Sequence, residues 1–263
     1  MIQPMPSPRK IQVMTPAPAT GTVDAREIDT FTRMAEEWWD PSGPFAPLHA
    51  LNPARIGYIR DTVCKTLGRP VDGMRPLDGL AIIDIGCGGG LVSEPLARLG
   101  AAVTGLDAGA RNIAVASAHA ADAGLDITYR AAAVEDLVAA GETEAFDVVL
   151  TLEIVEHVAD PDLFLTSAAR LLKPGGVLIA STLNRTPKSF LGAIVAAEYV
   201  LRWVPRGTHD WRKFLRPSEL ARGLRNAGLR PFEAVGLNRD PAAGWQVGGS
   251  LGINYFIAAR KPG

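Results

Sequence analysis

Short apolar runs alternate with segments of helical periodicity from residue 80 to the C-terminus. The runs predict strands at Ala81–Ile85, Ala102–Leu106, Ile127–Ala131, Phe146–Leu150, Gly176–Ser181, Pro231–Leu237 and Ile253–Arg260. Apolar spacing of three and four residues predicts helices at Leu91–Leu99, Ala110–Ala123, Pro161–Leu172 and Ser218–Ala227. This alternation predicts an α/β fold, with a mostly parallel, seven-stranded sheet that carries helices on both faces.

The N-terminal third has a different pattern. Residues 1–22 contain five prolines and no amphipathic period, which predicts a disordered tail. From Asp24 to Asp40 the apolar positions predict a helix, which Pro41 ends. Residues 38–45 are dense in aromatic and turn-forming residues, and they form either a packed loop or a cap over a ligand. Together, residues 23–79 are predicted to be an N-terminal helical cap on the domain formed by residues 80–263.

A second helix in this cap is predicted from Pro53 to Leu67. Asn52 is the expected N-cap, and Pro53 is the expected first helical residue. Arg55 then lies near the helix start, where the helix dipole does not favour a positive charge. We therefore expect Arg55 to have an outside partner, such as the carboxylate of a ligand.

Composition narrows the class of protein. The 263 residues are 47% hydrophobic and 21% charged, as in ordinary globular proteins, and no apolar run reaches the length of a membrane-spanning helix. A net charge of −1 provides no basic field for nucleic acid, so no nucleic-acid partner is expected. Two cysteines far apart, Cys64 and Cys87, suggest a reducing compartment rather than a disulfide framework. We expect an intracellular, cytoplasmic protein.

Glycines follow the first predicted strand at Gly86, Gly88 and Gly90, just after Asp84. Glycine allows a sharp turn and a close approach of a ligand to the backbone. The dinucleotide fingerprint would need its third glycine at Leu91, and no Gly-Lys-Ser/Thr of a P-loop follows. An acid before a G-x-G-x-G loop resembles the first motif of the S-adenosylmethionine-dependent methyltransferases with a Rossmann-like fold. The alternative is a purely structural turn in another α/β protein.

Asp107 follows the second predicted strand. Ligands of doubly wound sheets bind at the carboxyl ends of the strands, where an acid can accept hydrogen bonds from both ribose hydroxyls. The alternative role for Asp107 is to cap the helix that begins near Gly109, because aspartate is a good N-cap.

Three residues whose side chains could bind a metal or act in catalysis follow the fourth predicted strand: Glu153, Glu156 and His157. Their spacing puts them on one face if the segment forms a helical turn. They could hold a divalent cation, or His157 and Glu156 could act in catalysis with the imidazole as general base. A histidine beside a carboxylate can also be only a structural pair.

Residues 187–216 are an insertion relative to a minimal α/β domain. Its apolar part, Ser189 to Val204, is too short to span a bilayer and is surrounded by lysines and arginines. This pattern fits a helix at a membrane surface or a buried core helix. Residues 238–252 are predicted to be a glycine-rich loop near the substrate side.

From about Ile28 to the C-terminus the chain resembles the ubiquinone-biosynthesis O-methyltransferases. The most specific stretches are Asn52-Pro53-Ala54-Arg55 and Gly207-Thr208-His209-Asp210. The resemblance implies a class I methyltransferase fold and methylation of hydroxyl groups on polyprenyl phenols and catechols, such as demethylubiquinol.

The resemblance also implies roles for individual residues. Contacts with S-adenosylmethionine are expected from Arg55, Gly86, Asp107 and Leu152, in addition to Asp84, Gly88 and Gly90 of the loop. A divalent metal such as Mg²⁺ would be held by Glu153, Glu156 and His157. Peripheral association with the inner membrane is expected through residues 187–216, and so is membership of a ubiquinone-biosynthesis complex. The rival functions are methylation of a small soluble phenol or of a carbon atom, and a non-catalytic membrane-associated scaffold.

Overall fold

A computed structural model describes residues 21–24, 28–29, 32–190, 210–240 and 242–263 of the chain. These residues form one eight-stranded sheet in the order β3-β2-β1-β4-β5-β8-β6-β7. The strands are β1 Ala81–Ile85, β2 Ala102–Asp107, β3 Thr128–Ala131, β4 Phe146–Leu152, β5 Leu172–Leu183, β6 Arg230–Asp240, β7 Gly244–Val247 and β8 Asn254–Arg260. The predicted α/β class and mostly parallel sheet are confirmed, with eight strands in place of seven.

The helices are α1 Ala46–Thr66, α2 Ser93–Arg98, α3 Ala110–Asp122, α4 Val134–Ala139, α5 Pro161–Leu171 and α6 Pro217–Asn226. Single helical turns lie at Ala35–Glu37, Pro187–Ser189 and Trp211–Lys213. The sequence-based prediction lacked α4, which is only six residues long. Its start is fixed by Asp136, whose carboxylate accepts a hydrogen bond from the backbone N–H of Ala133 at 2.9 Å.

Strands β1 to β5 are parallel, whereas β8, β6 and β7 add in antiparallel orientation. β1 pairs with β2 on one side and β4 on the other, so the chain reverses its direction of winding at this point. The carboxyl ends of strands at such a switch point leave a crevice for ligands. The strand that was not predicted is β7. It lies within the predicted loop 238–252 and forms a hairpin with β6.

Two apolar cores cover the two faces of the sheet. Alternation along β1 places Ile82 in one core and Ile83 with Ile85 in the other. The first core includes residues of α1 and α2, and the second includes residues of α4, α5 and α6. Helix α1 packs directly on the sheet through residues of the first core.

The start predicted for the second helix is wrong. Pro53 lies inside α1, seven residues after its first residue, and Asn52 is helical and donates its side-chain N–H to the carbonyl of Leu91 at 2.7 Å. A proline inside a helix removes one backbone hydrogen bond. The fully buried Ile59 and Val63 anchor the helix to the sheet, and this packing offsets the loss.

Parts of the predicted N-terminal tail and insertion lie outside the described residues, namely 1–20 and 191–209, as do residues 25–27 and 30–31 of the predicted helix. Thr22, the last residue assigned to the tail, is buried, and its hydroxyl donates to Glu135 at 2.8 Å. Of the helices in the described ranges, none combines the length and apolar character needed to cross a membrane.

Candidate active site

A cavity of about 490 Å³ lies at the carboxyl ends of β1, β2, β4 and β5. Nine of the predicted site residues line it: Arg55, Asp84, Gly86, Gly88, Asp107, Leu152, Glu153, Glu156 and His157. Gly90 is the exception. A side chain at Gly90 would meet the hydroxyl of Tyr129 rather than the cavity, so this glycine serves the packing of the loop.

The glycine loop has the conformation that the sequence predicted. Gly86 and Gly88 have φ values of 77° and 53°, in the left-handed region that other residues rarely adopt. A Cβ atom on Gly86 would lie 3.0 Å from the side chain of Ile154, and one on Gly88 would lie 2.4 Å from the ring of Trp38. Glycine is therefore required both by the backbone and by the close approach of neighbouring side chains.

Trp38 and Trp39 cover this loop. The Trp38 ring stacks on Phe45 with 3.8 Å between centroids, and its Nε1 donates to Oδ1 of Asn112 at 3.1 Å. The Trp39 Nε1 donates to the carbonyl of Gly89 at 2.9 Å. Residues 38–45 thus pack against the glycine loop, and their role as a cap over a ligand stays a prediction.

Asp107 ends β2 beside the glycine loop. Its Oδ2 accepts the N–H of Gly88 at 3.0 Å, and its Oδ1 accepts the N–H of Gly109 at 2.7 Å and Nδ2 of Asn112 at 3.1 Å. Burial raises the pKa of the Asp107 carboxyl, and these three donors counteract that effect. The N-cap of α3 is Gly109, so Asp107 joins the loop to the start of the helix.

Asp84 is buried near the end of β1, where the hydroxyl of Ser93 donates to its Oδ2 at 2.7 Å. Burial raises its pKa from 3.8 to about 6, while the Ser93 hydrogen bond and the charge of Arg55 act in the opposite direction. A buried carboxyl with such a pKa in a cavity is typical of a functional site.

Arg55 and Glu153 form an ion pair in the cavity wall, with 3.0 Å between Nη1 and Oε2. The other oxygen of Glu153 accepts hydrogen bonds from Ser181 at 3.2 Å and Asn254 at 3.4 Å. Glu153 has a φ of 50°, which is a strained conformation for a residue with a side chain. Arg55 lies in the middle of α1, so the predicted position near a helix start is wrong, and the partner that the structure gives it is Glu153.

Glu156 and His157 lie in a turn between β4 and α5 rather than in a regular helix. Glu156 is buried, and its Oε2 has no hydrogen-bond partner in the described part of the chain. Burial raises the pKa of Glu156, and attraction to His157 lowers it. Across the described residues, no three histidine, cysteine, aspartate or glutamate side chains are grouped so that they could hold a metal ion. Because this segment is a turn, the helical spacing that would place Glu153, Glu156 and His157 on one face does not apply, and metal binding by these residues stays a prediction.

Apolar side chains from other parts of the fold also line the cavity. They come from the start of α1, the end of β5, strand β7 and the residue before β8: Leu48, Leu51, Leu183, Trp245 and Ile253. Trp245 and Asn112 were not predicted as site residues. A tryptophan in an otherwise small and polar loop segment is the signal that could have identified the first, and nothing in the local sequence marks the second.

The sequence and the fold of this chain are similar to those of known methyltransferases. Residues 83–180 match the family described as a methyltransferase domain. Two solved structures have the same fold: magnesium protoporphyrin IX methyltransferase from Synechocystis (18% identity, 90% of this chain and 95% of that chain, TM-score 0.58) and an S-adenosylmethionine-dependent methyltransferase from Aquifex aeolicus (14% identity, 87% and 97%, TM-score 0.57).

Much closer relatives carry the name ubiquinone biosynthesis O-methyltransferase. The protein from Dinoroseobacter shibae is 53% identical over 92% of this chain and 98% of its own length, and that from Brucella anthropi is 50% identical over 93% and 98%. The protein from Methylobacterium nodulans is 52% identical over 92% and 96%. The chain is an S-adenosylmethionine-dependent methyltransferase and belongs to the ubiquinone biosynthesis O-methyltransferase family.

Proposed function

We propose that this enzyme methylates hydroxyl groups of polyprenyl phenol and catechol intermediates in ubiquinone biosynthesis. The observation that carries the proposal is that one cavity brings together the glycine loop, the carboxylates and imidazole of residues 153–157, and apolar side chains from α1, β5 and β7. A phenolic ring with a long hydrocarbon tail likewise combines polar and apolar groups.

The glycine loop and the residues around it suit S-adenosylmethionine. Gly86 and Gly88 allow the sharp turn that brings the loop to the cavity, and Asp107, at the end of β2, accepts hydrogen bonds from the ribose. Nε of Arg55 is buried without a hydrogen-bond partner among the described residues, and it is the donor for the carboxylate of the methionine part. Leu152, buried at the end of β4, packs on the adenine.

S-adenosylmethionine, when bound, supplies an electrophilic methyl group. The protein must therefore hold the acceptor oxygen in line with that group and remove its proton. His157 accepts the proton of the phenolic hydroxyl, and the buried Glu156 stabilises the imidazolium that results. Leu48, Leu183 and Trp245 exclude water around the acceptor ring.

A requirement for Mg²⁺ or another divalent cation is a separate prediction. The arrangement of side chains does not favour it, because Arg55, Ser181 and Asn254 already occupy the carboxylate of Glu153. A metal at Glu153, Glu156 and His157 would need that carboxylate to leave its present partners. We therefore assign no step of the reaction to a metal.

Association with the membrane surface through residues 187–216 would bring the enzyme to a substrate with an isoprenoid tail. Phe190 and Trp211, at the two ends of the undescribed part, are in edge-to-face contact with 6.3 Å between centroids, and Phe190 is 44% exposed. Aromatic side chains with flanking lysines and arginines suit an interfacial element. Deleting residues 191–209 should release the protein from anionic liposomes and leave adenosylhomocysteine binding intact. Unchanged liposome binding would refute this role.

The decisive experiment is transfer of labelled methyl from S-adenosylmethionine to a short-chain polyprenyl catechol, with and without EDTA. We expect product in both conditions and its loss in His157→Ala. Loss of product with EDTA would instead establish the metal requirement, and full turnover of His157→Ala would refute the imidazole base. Transfer only to a small soluble phenol or a carbon acceptor would favour the enzymatic rival. Adenosylhomocysteine binding without transfer to any acceptor would favour a scaffold.

A further inference from the structure

Three side chains link the N-terminal cap to the expected ribose site. Trp38 donates through Nε1 to Oδ1 of Asn112, and Nδ2 of the same amide donates to Oδ1 of Asp107, both at 3.1 Å. Asn112 is buried at 3% exposure and Trp38 at 8%, so solvent competes little with either hydrogen bond. Trp38 and Asp107, which these hydrogen bonds connect through Asn112, are distant in sequence, and both contact the glycine loop at Gly88.

The direction of each hydrogen bond matters. An amide has one accepting and one donating end, and only the donating end is favourable against a carboxylate. Because the indole N–H can only donate, it holds Oδ1 of Asn112 toward Trp38 and leaves Nδ2 facing Asp107. Together with the N–H of Gly109, Nδ2 occupies Oδ1 of Asp107 and fixes the plane of the carboxylate.

We propose that Asn112 is a positioning residue, oriented by Trp38, that sets the Asp107 carboxylate for the ribose hydroxyls and so couples cofactor binding to the N-terminal cap. This inference rests on the ribose role of Asp107 in the proposed function. Coupling of this kind is reciprocal, so a bound cofactor also stabilises the cap on the loop.

The test is a double-mutant cycle on the Kd of S-adenosylhomocysteine, measured by calorimetry with the full-length chain. Trp38→Phe keeps an aromatic ring over the loop, removes the N–H and also shortens the ring system; the packing loss occurs in both backgrounds, so the cycle isolates the coupling through the N–H. Trp38→Phe should weaken binding by about three- to tenfold in the wild-type background, the range expected for one buried hydrogen bond, and by less than about twofold in Asn112→Ala. Trp39→Phe is the matched control, because its N–H donates to Gly89 and has no link to Asn112. Its effect should be the same in both backgrounds.

Two further measurements separate positioning from a general structural role. An analogue of adenosylhomocysteine without the two ribose hydroxyls should show no coupling between Trp38→Phe and Asn112→Ala. Asn112→Asp, which keeps the size of the side chain but opposes the Asp107 carboxylate, should weaken adenosylhomocysteine binding even if Asn112→Ala does not fold.

Additive effects of Trp38→Phe and Asn112→Ala on the Kd would overturn the inference. So would a coupling that is the same for the analogue and for adenosylhomocysteine. Neither result would affect the proposed function, which methyl transfer by the wild type tests. Absence of adenosylhomocysteine binding by the wild type would overturn both this inference and the proposed function.

Discussion

Arg55 and Glu153 lie 98 positions apart in the sequence, yet their side chains meet in the cavity wall at 3.0 Å. Arg55 comes from the middle of α1, and Glu153 directly follows β4. The Arg55 side chain is 5% exposed and the Glu153 side chain 19% exposed, so the pair is largely removed from water. A charge so placed needs its partner, because desolvation without compensation is costly.

Arg55→Ala should therefore lower the free energy of unfolding by about 2 to 4 kcal/mol, somewhat less than for a fully buried pair because Glu153 keeps some contact with water. The double variant Arg55→Ala with Glu153→Gln should recover part of that loss, because no uncompensated charge remains. Urea denaturation measures both. A double variant no more stable than Arg55→Ala would show that the charge of Glu153 is not the cause.

Gly88→Ala should weaken adenosylhomocysteine binding roughly tenfold or more, which corresponds to about 1.4 kcal/mol. The new methyl group would lie 2.4 Å from the Trp38 ring, so the cap must move away from the loop. Gly124→Ala is the matched control: Gly124 has a similar φ of 66° but has no atom within 4 Å of the Cβ position. Both variants should lose about 1 kcal/mol of stability from backbone strain, and only Gly88→Ala should lose affinity.

Asp84 should make stability depend on pH. Its pKa is raised from 3.8 to about 6 in the folded protein, so the folded state binds more protons between these values and stability falls as pH rises through this window. Relative to Asp84→Asn, the wild type should lose on the order of 3 kcal/mol between pH 4 and pH 7. Thermal or urea unfolding of both proteins across this range measures the difference.

The control for this measurement is Asp240→Asn. Two backbone N–H groups, those of Ala243 and Ala242, lower the pKa of the exposed Asp240 carboxyl. Its contribution is fully present above the ordinary pKa of 3.8 and is lost only at lower pH, so the difference between this variant and the wild type should stay constant between pH 4 and pH 7. A difference for Asp84→Asn that does not change with pH would contradict the raised pKa.

Trp245→Ala should raise KM for the phenolic acceptor about tenfold and leave the KM for S-adenosylmethionine nearly unchanged. Trp245 is a half-buried residue of β7 that lines the cavity, and an aromatic side chain in contact with the acceptor ring contributes about 1.5 kcal/mol. Phe232→Ala, a change to an exposed aromatic residue on β6 that is not part of the cavity lining, is the control. Equal effects on both KM values would place Trp245 outside the acceptor site.

The fold class could be predicted from the sequence because the strands are covered on both faces and form apolar runs, while most helices bury one face and have a helical period. The glycine loop and Asp107 could also be placed, since glycines between a strand and a helix specify a local backbone. Helix α4 and strand β7 were missed, because β7 lies in a glycine-rich segment and forms by pairing with β6, and the start of α4 depends on the hydrogen bond between Asp136 and Ala133 rather than on an apolar period.

For the site, the pattern of apolar runs was sufficient to place Asp84, Asp107 and Glu153 at or beside the ends of their strands. The partners of these residues depend on tertiary packing. The local pattern predicts a helix that begins at Pro53, whereas in the structure α1 begins at Ala46 and brings Arg55 from its middle to Glu153. Trp38 meets Gly88 and Asn112 for the same reason: such contacts depend on how distant segments pack, and the free energy of that packing is a property of the whole fold rather than of a local sequence.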